Sequence, residues 1–343
     1  MKKYNVAIVG ATGAVGQEFL RLIEERKFPF NELKLLASER SAGKSIEFMG
    51  KSYIVEEATP EAFNNVQFAL FAGGSISKTL APEAAKRGAV VIDNSSAFRM
   101  DPEVPLVVPE VNPEAIKKHK GIIANPNCST IIMVMALKPI YDAAKIKRIV
   151  VSTYQAVSGA GKEAIDELTD QVKAIMENRP VEANILPSAS LPKHYQIAFN
   201  LLPHIDVFVE DDYTKEEMKM VHETHKILND YSIGITATTV RVPVYRSHSE
   251  SINIEMDGPL SPQEARQILA EFPGIIVQDD PAEMLYPMPL YTSDRNEVFV
   301  GRIRPDKTVP YGLNMWVVGD QIRKGAALNA VQIAEYMIEH NLI

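Results

Sequence analysis

The sequence predicts an α/β protein, in which a doubly wound, Rossmann-like nucleotide-binding domain is joined to an α+β second domain. Three observations carry this expectation. Over the first 130 or so residues, short apolar runs alternate with helical patterns. A glycine-rich turn stands between the first run and the first helix. From about residue 148 onward, helices mix with alternating segments of antiparallel character. A chain of 343 residues is long enough for two domains, each with its own core.

The elements follow in order. "YNVAIVG" (4–10) is rich in branched residues and ends in glycine, as a parallel strand buried on both faces reads. In "VGQEFLRLIEER", Val15, Phe19, Leu22 and Ile23 recur at helical spacing with charges opposite. "ELKLLAS" (32–38), "VQFALFAGG" (66–74), "AVVIDNSS" (89–96) and "GIIANP" (121–126) read as further strands, with a helix-like "APEAAKRG" after the third. Strands alternating with helices imply right-handed βαβ units. In the second half, "GKEAIDELTDQVKAIME" and "TKEEMKMVHETHKIL" (214–228) read as helices. The latter opens on a capping box, Thr214 with Glu217. "ITATTVRVPVY", "ESINIEM" and "EVFVGRIR" read as strands, and "RKGAALNAVQIAEYMIEH" as a closing amphipathic helix. The expected domains are 1–130, with 323–343 packing back on it, and 131–322.

Composition excludes several functions. The net charge of −8 argues against a nucleic-acid partner, which needs a basic face. No apolar stretch approaches the ~20 residues of a membrane span. The start, "MKKYNVAIVGATGAVG", is broken by glycines and lacks a signal-peptide cleavage pattern, so a cytoplasmic protein is expected. The single cysteine excludes an internal disulfide and suits a reducing compartment. No His/Cys/Asp cluster stands at metal-ligand spacing.

Gly10, Gly13 and Gly16 in "GATGAVG" form G-x-x-G-x-x-G, not the better-known G-x-G-x-x-G. At a strand-to-helix turn such glycines allow a tight bend, and backbone amides at the helix N-terminus then face a pyrophosphate. A turn that binds nothing is the competing reading. At the end of the second strand, where an acidic residue selects NAD, stands "ASERSAGK". Ser38, Arg40 and Ser41 suit a 2′-phosphate, which favours NADP(H). Glu39 between them leaves NAD open, and an ordinary exposed loop arginine remains the alternative for Arg40.

Cys128 lies in "ANPNCST". Asn127 is a natural N-cap and Pro126 blocks an earlier helical start, so the thiol falls in a first helical turn. Backbone amides and the helix dipole there stabilise a thiolate and an adjacent oxyanion. A small buried structural cysteine is the alternative. A nucleotide fold with an activated thiol points to acyl–enzyme chemistry between an aldehyde and an acyl derivative.

The chain resembles the aspartate-β-semialdehyde dehydrogenase family nearly end to end. The resemblance rests on the order and spacing of "GATGAVG", "DNSSAFR", "VPEVN", "NPNCST", "TYQAVSGAGK", "EEMKMVHETHKIL", "RVPVYRSHSE" and "VVGDQIRKGAALNAVQIAE". It implies NADPH-dependent reductive dephosphorylation of L-aspartyl-4-phosphate to L-aspartate-4-semialdehyde, in lysine, threonine, methionine and diaminopimelate biosynthesis. By resemblance Cys128 is the nucleophile, His248 the general acid/base and Gln155 the residue that orients the acyl group. Arg241 would grip the α-carboxylate, Glu216 the ammonium, and Arg99 with Lys219 the phosphate. Gly10, Thr12, Gly13, Ala14, Val15, Arg40, Ser41, Ser158, Gly159 and Gln321 would contact the cofactor. A homodimer, sometimes paired into a tetramer, is also implied.

The residues themselves agree in part. A zwitterion carrying phosphate needs two cationic sites and one anionic site, and Glu216 and Lys219 share one helix face. A plain intrahelical ion pair is their alternative. Arg99 follows the fourth strand, where open α/β sheets bind ligands, although loop arginines are common there. Arg241 and His248 stand seven apart, so one continuous strand would point them to opposite faces unless it broke near Pro243. "SHSE" would otherwise read as an exposed turn. N-acetyl-γ-glutamyl-phosphate reductase, the nearest rival, typically has glycine in place of Asn127 and a different glycine loop. A silent binding paralogue would be expected to lose Cys128 or His248, and both are present.

Overall fold

The computed structural model describes residues 2–343. The chain divides into two compact units, Met1–Asn127 with Gly325–Ile343, and Cys128–Lys324.

The first unit opens with β1 (Tyr4–Val9), α1 (Ala14–Glu25) and β2 (Phe30–Ala37). A hairpin of β3 (Ser45–Phe48) and β4 (Lys51–Ile54) follows, then the short β5 (Glu56–Glu57). Next come β6 (Phe68–Phe71), α2 (Ser77–Lys86), β7 (Val90–Asp93) and β8 (Ile122–Ala124). Six strands form one sheet in the order β5-β2-β1-β6-β7-β8, and every pairing is parallel. Val6 and Ile8 pack on one face with Phe19, Leu22 and Ile23 of α1. Ala7 and Val9 pack on the other with Leu80 and Ala84 of α2. Burial on both faces is why β1 reads as an unbroken apolar run. The hairpin carries no such run, and sequence reading passed over it. Its turn residues Met49 and Gly50 both have positive φ (48° and 71°), as a two-residue hairpin turn requires.

The second unit holds α3 (Cys128–Ala144), β9 (Ile146–Gln155), α4 (Lys162–Met176), α5 (Lys215–Leu228), β10 (Gly234–Arg241), β11 (His248–Met256), α6 (Pro262–Glu271), β12 (Ile275–Val277), α7 (Pro289–Thr292), β13 (Val298–Asp306) and β14 (Gly312–Gly319). Its sheet runs β10-β9-β11-β14-β13-β12. The strands are not all antiparallel as their alternation suggests: β10 runs parallel to β9, and β12 to β13. The long connection through α4 and α5 returns the chain to the starting edge of β9, and such a crossover permits a parallel pair where a tight hairpin cannot. α3 lies on this sheet against β9, β11, β13 and β14, and every residue from Ile131 to Leu137 is buried. The capping box of α5 forms, with Thr214 and Glu217 bonding each other's backbone N–H. Glu217 also accepts from the Thr239 N–H of β10 at 3.0 Å, which ties the helix start to the strand.

The chain closes with α8 (Leu328–Glu339), which belongs to the first unit and buries Leu328, Val331 and Ile333 in the core beside α1. The Asn329 amide donates to the Val107 carbonyl at 2.9 Å and to Asn125 Oδ1 at 2.7 Å. Arg26, the C-cap residue of α1, forks onto Glu335 at 2.8 and 2.6 Å.

Close approach fixes Gly16. A Cβ there would stand 2.2 Å from the Gly10 carbonyl oxygen and 2.7 Å from the Ala11 Cα. Gly16→Ala is expected to destabilise the chain by about 1–3 kcal/mol, the cost of forcing an extra methyl into a packed site. Thermal unfolding of the variant checks this, and an unchanged midpoint would show that the turn relaxes freely.

Candidate active site

On the first unit, the predicted cofactor residues gather at the carboxyl ends of adjacent strands, where open parallel sheets bind ligands. Gly10 ends β1 in the left-handed region (φ 84°). Gly13 is the N-cap of α1, with extended backbone, no side-chain cap and no acidic residue in the first turn. The first-turn amides of Ala14 and Val15 are therefore offered to an anion beside the exposed Thr12. Arg40 and Ser41 share one 3₁₀ turn, Glu39–Ser41, just beyond β2. Arg40 and Glu39 are exposed and Ser41 is buried. Arg99, also buried, follows β7 and donates from Nη2 to the Asn94 carbonyl at 2.7 Å. The cradle fits a dinucleotide: a bare helix N-terminus, a turn closed to any Cβ at Gly16, and a cation beyond the second strand.

On the second unit, Cys128 is the first residue of α3 and half-buried. The register of the sheet assembles the rest. Arg241 at the end of β10 pairs with Gln155 at the end of β9. On the other side of β9, the pairing of Ser249 with Tyr154 brings His248, the first residue of β11, level with Gln155. The seven-residue spacing of Arg241 and His248 thus spans two strands and a turn, and both side chains share one face with Gln155. Gln155 Nε2 donates to Ser129 Oγ at 2.9 Å, to Glu216 Oε1 at 3.3 Å and to Thr153 Oγ1 at 3.4 Å. Lys219 Nζ reaches Glu216 and Asp206, each at 2.9 Å. The plain ion pair on α5 therefore exists, and Asp206 completes it. Ser158 accepts a hydrogen bond from the Gln321 amide, whose oxygen accepts from the Ser247 N–H at 2.8 Å. Gly159 lies against the site: a Cβ there would be 2.9 Å from Arg241 Nη1 and 3.3 Å from His248 Nε2.

With this geometry in place, comparison with known proteins is decisive. Residues 5–119 match the model of a semialdehyde dehydrogenase NAD-binding domain, and residues 137–324 match that of a semialdehyde dehydrogenase dimerisation domain. Aspartate-semialdehyde dehydrogenase of Aquifex aeolicus is 60% identical over 344 residues, with 99% of each chain covered. That of Bacillus subtilis is 53% identical over 341 residues, again covering 99% of each. The chain belongs to the aspartate-semialdehyde dehydrogenase family. Among solved structures, the Vibrio cholerae enzyme II complexed with ASA superposes with a TM-score of 0.93 at 49% identity, covering 99% of each chain. The Candida albicans enzyme with NADP superposes with a TM-score of 0.78 at 26% identity, covering 100% of each.

The semialdehyde dehydrogenase fold buries strong charges on the second unit, and their states follow from that. Burial lowers the pKa of the Arg241 guanidinium, while Glu216 and Cys128 act to raise it. Burial first, and the Arg241 charge second, press His248 down to about 3, so its ring is neutral at physiological pH. Lys219 is raised, because Glu216 and Asp206 together outweigh the burial that opposes its charge.

Sequence reading missed several residues. Ala156 holds both His248 and Arg241 through its backbone, which no side-chain pattern reveals. Ser129 was hidden behind Cys128, and Asp206 lies in irregular chain with a positive φ of 70°. Glu250, in the motif "RSHSE", sits two residues past His248 on the same face of β11. It is fully buried, and neither carboxyl oxygen has a hydrogen-bond partner among the described residues. "SHSE" is thus interior, not an exposed turn. Burial raises the Glu250 pKa well above the ordinary carboxyl value, so the folded state holds its proton after the unfolded chain has released it. Stability from this group is whole below the unfolded value, near pH 4.5, and falls as pH rises above it. Glu250→Gln removes that loss. Its melting temperature relative to wild type is expected to climb as the pH rises above about 5. A difference independent of pH in thermal scans would show that Glu250 ionises in the folded protein.

Proposed function

We propose that Cys128 is the nucleophile of an NADPH-dependent, phosphorylating aspartate-semialdehyde dehydrogenase. The enzyme converts L-aspartyl-4-phosphate to L-aspartate-4-semialdehyde, a step toward lysine, threonine, methionine and diaminopimelate. One observation carries the assignment of residues: Arg241, Gln155 and His248 come level at the ends of three neighbouring strands, with Glu216 bonded to Gln155.

The roles follow from the chemistry of a small zwitterion. The Arg241 guanidinium donates from Nη1 to the Ala156 carbonyl at 2.7 Å, and its buried Nε–H has no partner among the described residues. That edge suits a carboxylate. Glu216, on the far side of Gln155, takes the ammonium. The Gln155 amide lies between them and orients the acyl group. Lys219 and Arg99 bind phosphate, which competes with Asp206 for Nζ. Cys128 attacks the acyl carbon, phosphate leaves, and a thioester remains. NADPH supplies hydride to the thioester when bound at the glycine cradle, with Arg40 and Ser41 at its 2′-phosphate and Ser158, Gly159 and Gln321 as further contacts. His248 is the general acid/base in this reading, and collapse of the thiohemiacetal frees the aldehyde.

The second domain also forms a homodimer in this reading, with pairing of dimers into a tetramer as a further level. The match to a dimerisation domain supports it, as do the exposed apolar side chains Met284, Leu290 and Tyr291 on that unit. A cytoplasmic location accords with amino-acid biosynthesis and with a single cysteine.

The reaction is tested in reverse, as phosphate-dependent reduction of NADP with L-aspartate-4-semialdehyde, with N-acetyl-glutamate semialdehyde as the control aldehyde. Cys128→Ala is expected to abolish turnover while NADPH still binds. Substantial residual activity would sink the thioester route. Arg40→Ala is expected to weaken NADPH far more than NADH, measured by fluorescence titration. Equal weakening of the two would place the 2′-phosphate elsewhere.

A further inference from the structure

We propose that Asp206 is a displaceable counter-ion for Lys219: it holds the ammonium when no phosphate is bound and yields it to phosphate, so this carboxylate sets how tightly phosphate is held. The proposal rests on the reading of Lys219 as a phosphate ligand given above.

Lys219 Nζ donates to Glu216 Oε2 and to Asp206 Oδ2, each at 2.9 Å. The two carboxylates are held differently. Glu216 stands three residues back on the same helix, and its Oε1 also accepts from Gln155 at 3.3 Å. Asp206 comes from the irregular strap that leads into α5, and its side chain is 28% exposed against 7% for Glu216. Its Oδ1 accepts from the adjacent Val207 N–H at 2.9 Å.

The strap is anchored at both ends. Leu202 and Arg241 exchange backbone hydrogen bonds at 3.0 and 2.8 Å, and the Lys215 N–H donates to the Val207 carbonyl at 2.8 Å. Between these anchors Asp206 takes a φ of 70°, a left-handed conformation that Asp tolerates because its short side chain bonds the local backbone. The backbone therefore presents the carboxylate to Lys219, and rotation of one partly exposed side chain is enough to withdraw it.

Two carboxylates on one ammonium leave the trio net negative, which repels an incoming phosphate. One of them must let go before Lys219 can serve an anion. For Glu216 that step strands a buried charge, which is strongly unfavourable. For Asp206 it is cheap: the carboxylate already meets water, and the hydration it gains offsets most of the attraction it loses. In the reading above the substrate ammonium comes to Glu216, so phosphate on Lys219 then leaves every charge of the trio paired or hydrated. Burial works against the Lys219 charge, and Glu216 with Asp206 holds its pKa above the ordinary lysine value. Phosphate takes over that support when it displaces Asp206. When phosphate departs, Asp206 returns, and the ammonium is not left with Glu216 alone. The exchange lowers the cost of releasing phosphate.

Asp206→Asn keeps the shape and an oxygen acceptor and removes the charge. Initial rates are read as NADP reduction, with inorganic phosphate varied at saturating L-aspartate-4-semialdehyde. The KM for phosphate is expected to fall by about three- to tenfold relative to wild type, somewhat above the range of an exposed ion pair, with the KM for the aldehyde within about twofold. Loss of a merely structural residue raises KM, so a fall reads the removal of a competitor. A phosphate KM that is unchanged or raised overturns the proposal. Should the variant not fold, crystals of the wild type grown with and without inorganic phosphate decide. Phosphate on Lys219 Nζ with Asp206 Oδ2 moved beyond hydrogen-bond reach is the expected result. Phosphate on Nζ beside an intact Asp206 contact, or no phosphate on Nζ, overturns it. Wild type that makes this exchange in the crystal yet lacks phosphate-dependent turnover would sink the dehydrogenase reading alone. Wild type that turns over with phosphate while Asp206 stays on Lys219 would sink the exchange alone.

Discussion

Arg241 carries a charge that is almost wholly removed from water, and the second unit is arranged around what that charge requires. An isolated buried guanidinium is unstable by far more than a single domain can offset. Here the Ala156 carbonyl meets one nitrogen, and Glu216 supplies opposite charge across Gln155. Glu216 is in turn placed by α5, whose first turn is pinned to β10 through Glu217 and Thr239. The capping box is therefore more than a helix signal. It sets the height at which Glu216 and Lys219 stand beside the strand ends.

The same economy governs the protonation states. His248 lies within the field of Arg241 and under the Ala156 amide, and both disfavour a second proton. Glu250, on the same face of β11, has no hydrogen-bond partner for either carboxyl oxygen among the described residues, and burial favours its protonated form. The face bearing the thiol thus combines a permanent cation, a neutral imidazole and a neutral carboxyl. Positive potential beside a thiol favours its thiolate form, and a negative charge at Glu250 would oppose that effect.

The two units show different solutions to covering a sheet. In the first, helices on both faces make every strand but the short edge strand β5 read as an apolar run, so sequence reading located most of them within two or three residues. In the second, one face packs on α3 and the other stays partly open, which produces alternation. Alternation reports a half-buried strand but says nothing of the direction of its neighbour. That is why the parallel pairing of β9 with β10 and of β12 with β13 was not legible. The β3–β4 hairpin escaped for a related reason: four-residue strands in a separate two-stranded sheet bury too little to leave a pattern.

What the sequence determined by itself is local. The glycine turn before α1, the start of α3 at Cys128 and the capping box of α5 each depend on residues within one or two turns of chain. Backbone sterics and first-turn hydrogen bonding therefore decide them before any tertiary contact forms. The order and spacing of the motifs also carried the family. Register alone decided the rest. Arg241 and His248 share a face because β10 and β11 flank β9, and Ala156 meets both through its backbone N–H and carbonyl, which have no side-chain signature. Glu250 is neutral because of what fails to surround it. Such properties belong to distances between segments far apart in the chain, and only the folded sheet sets them.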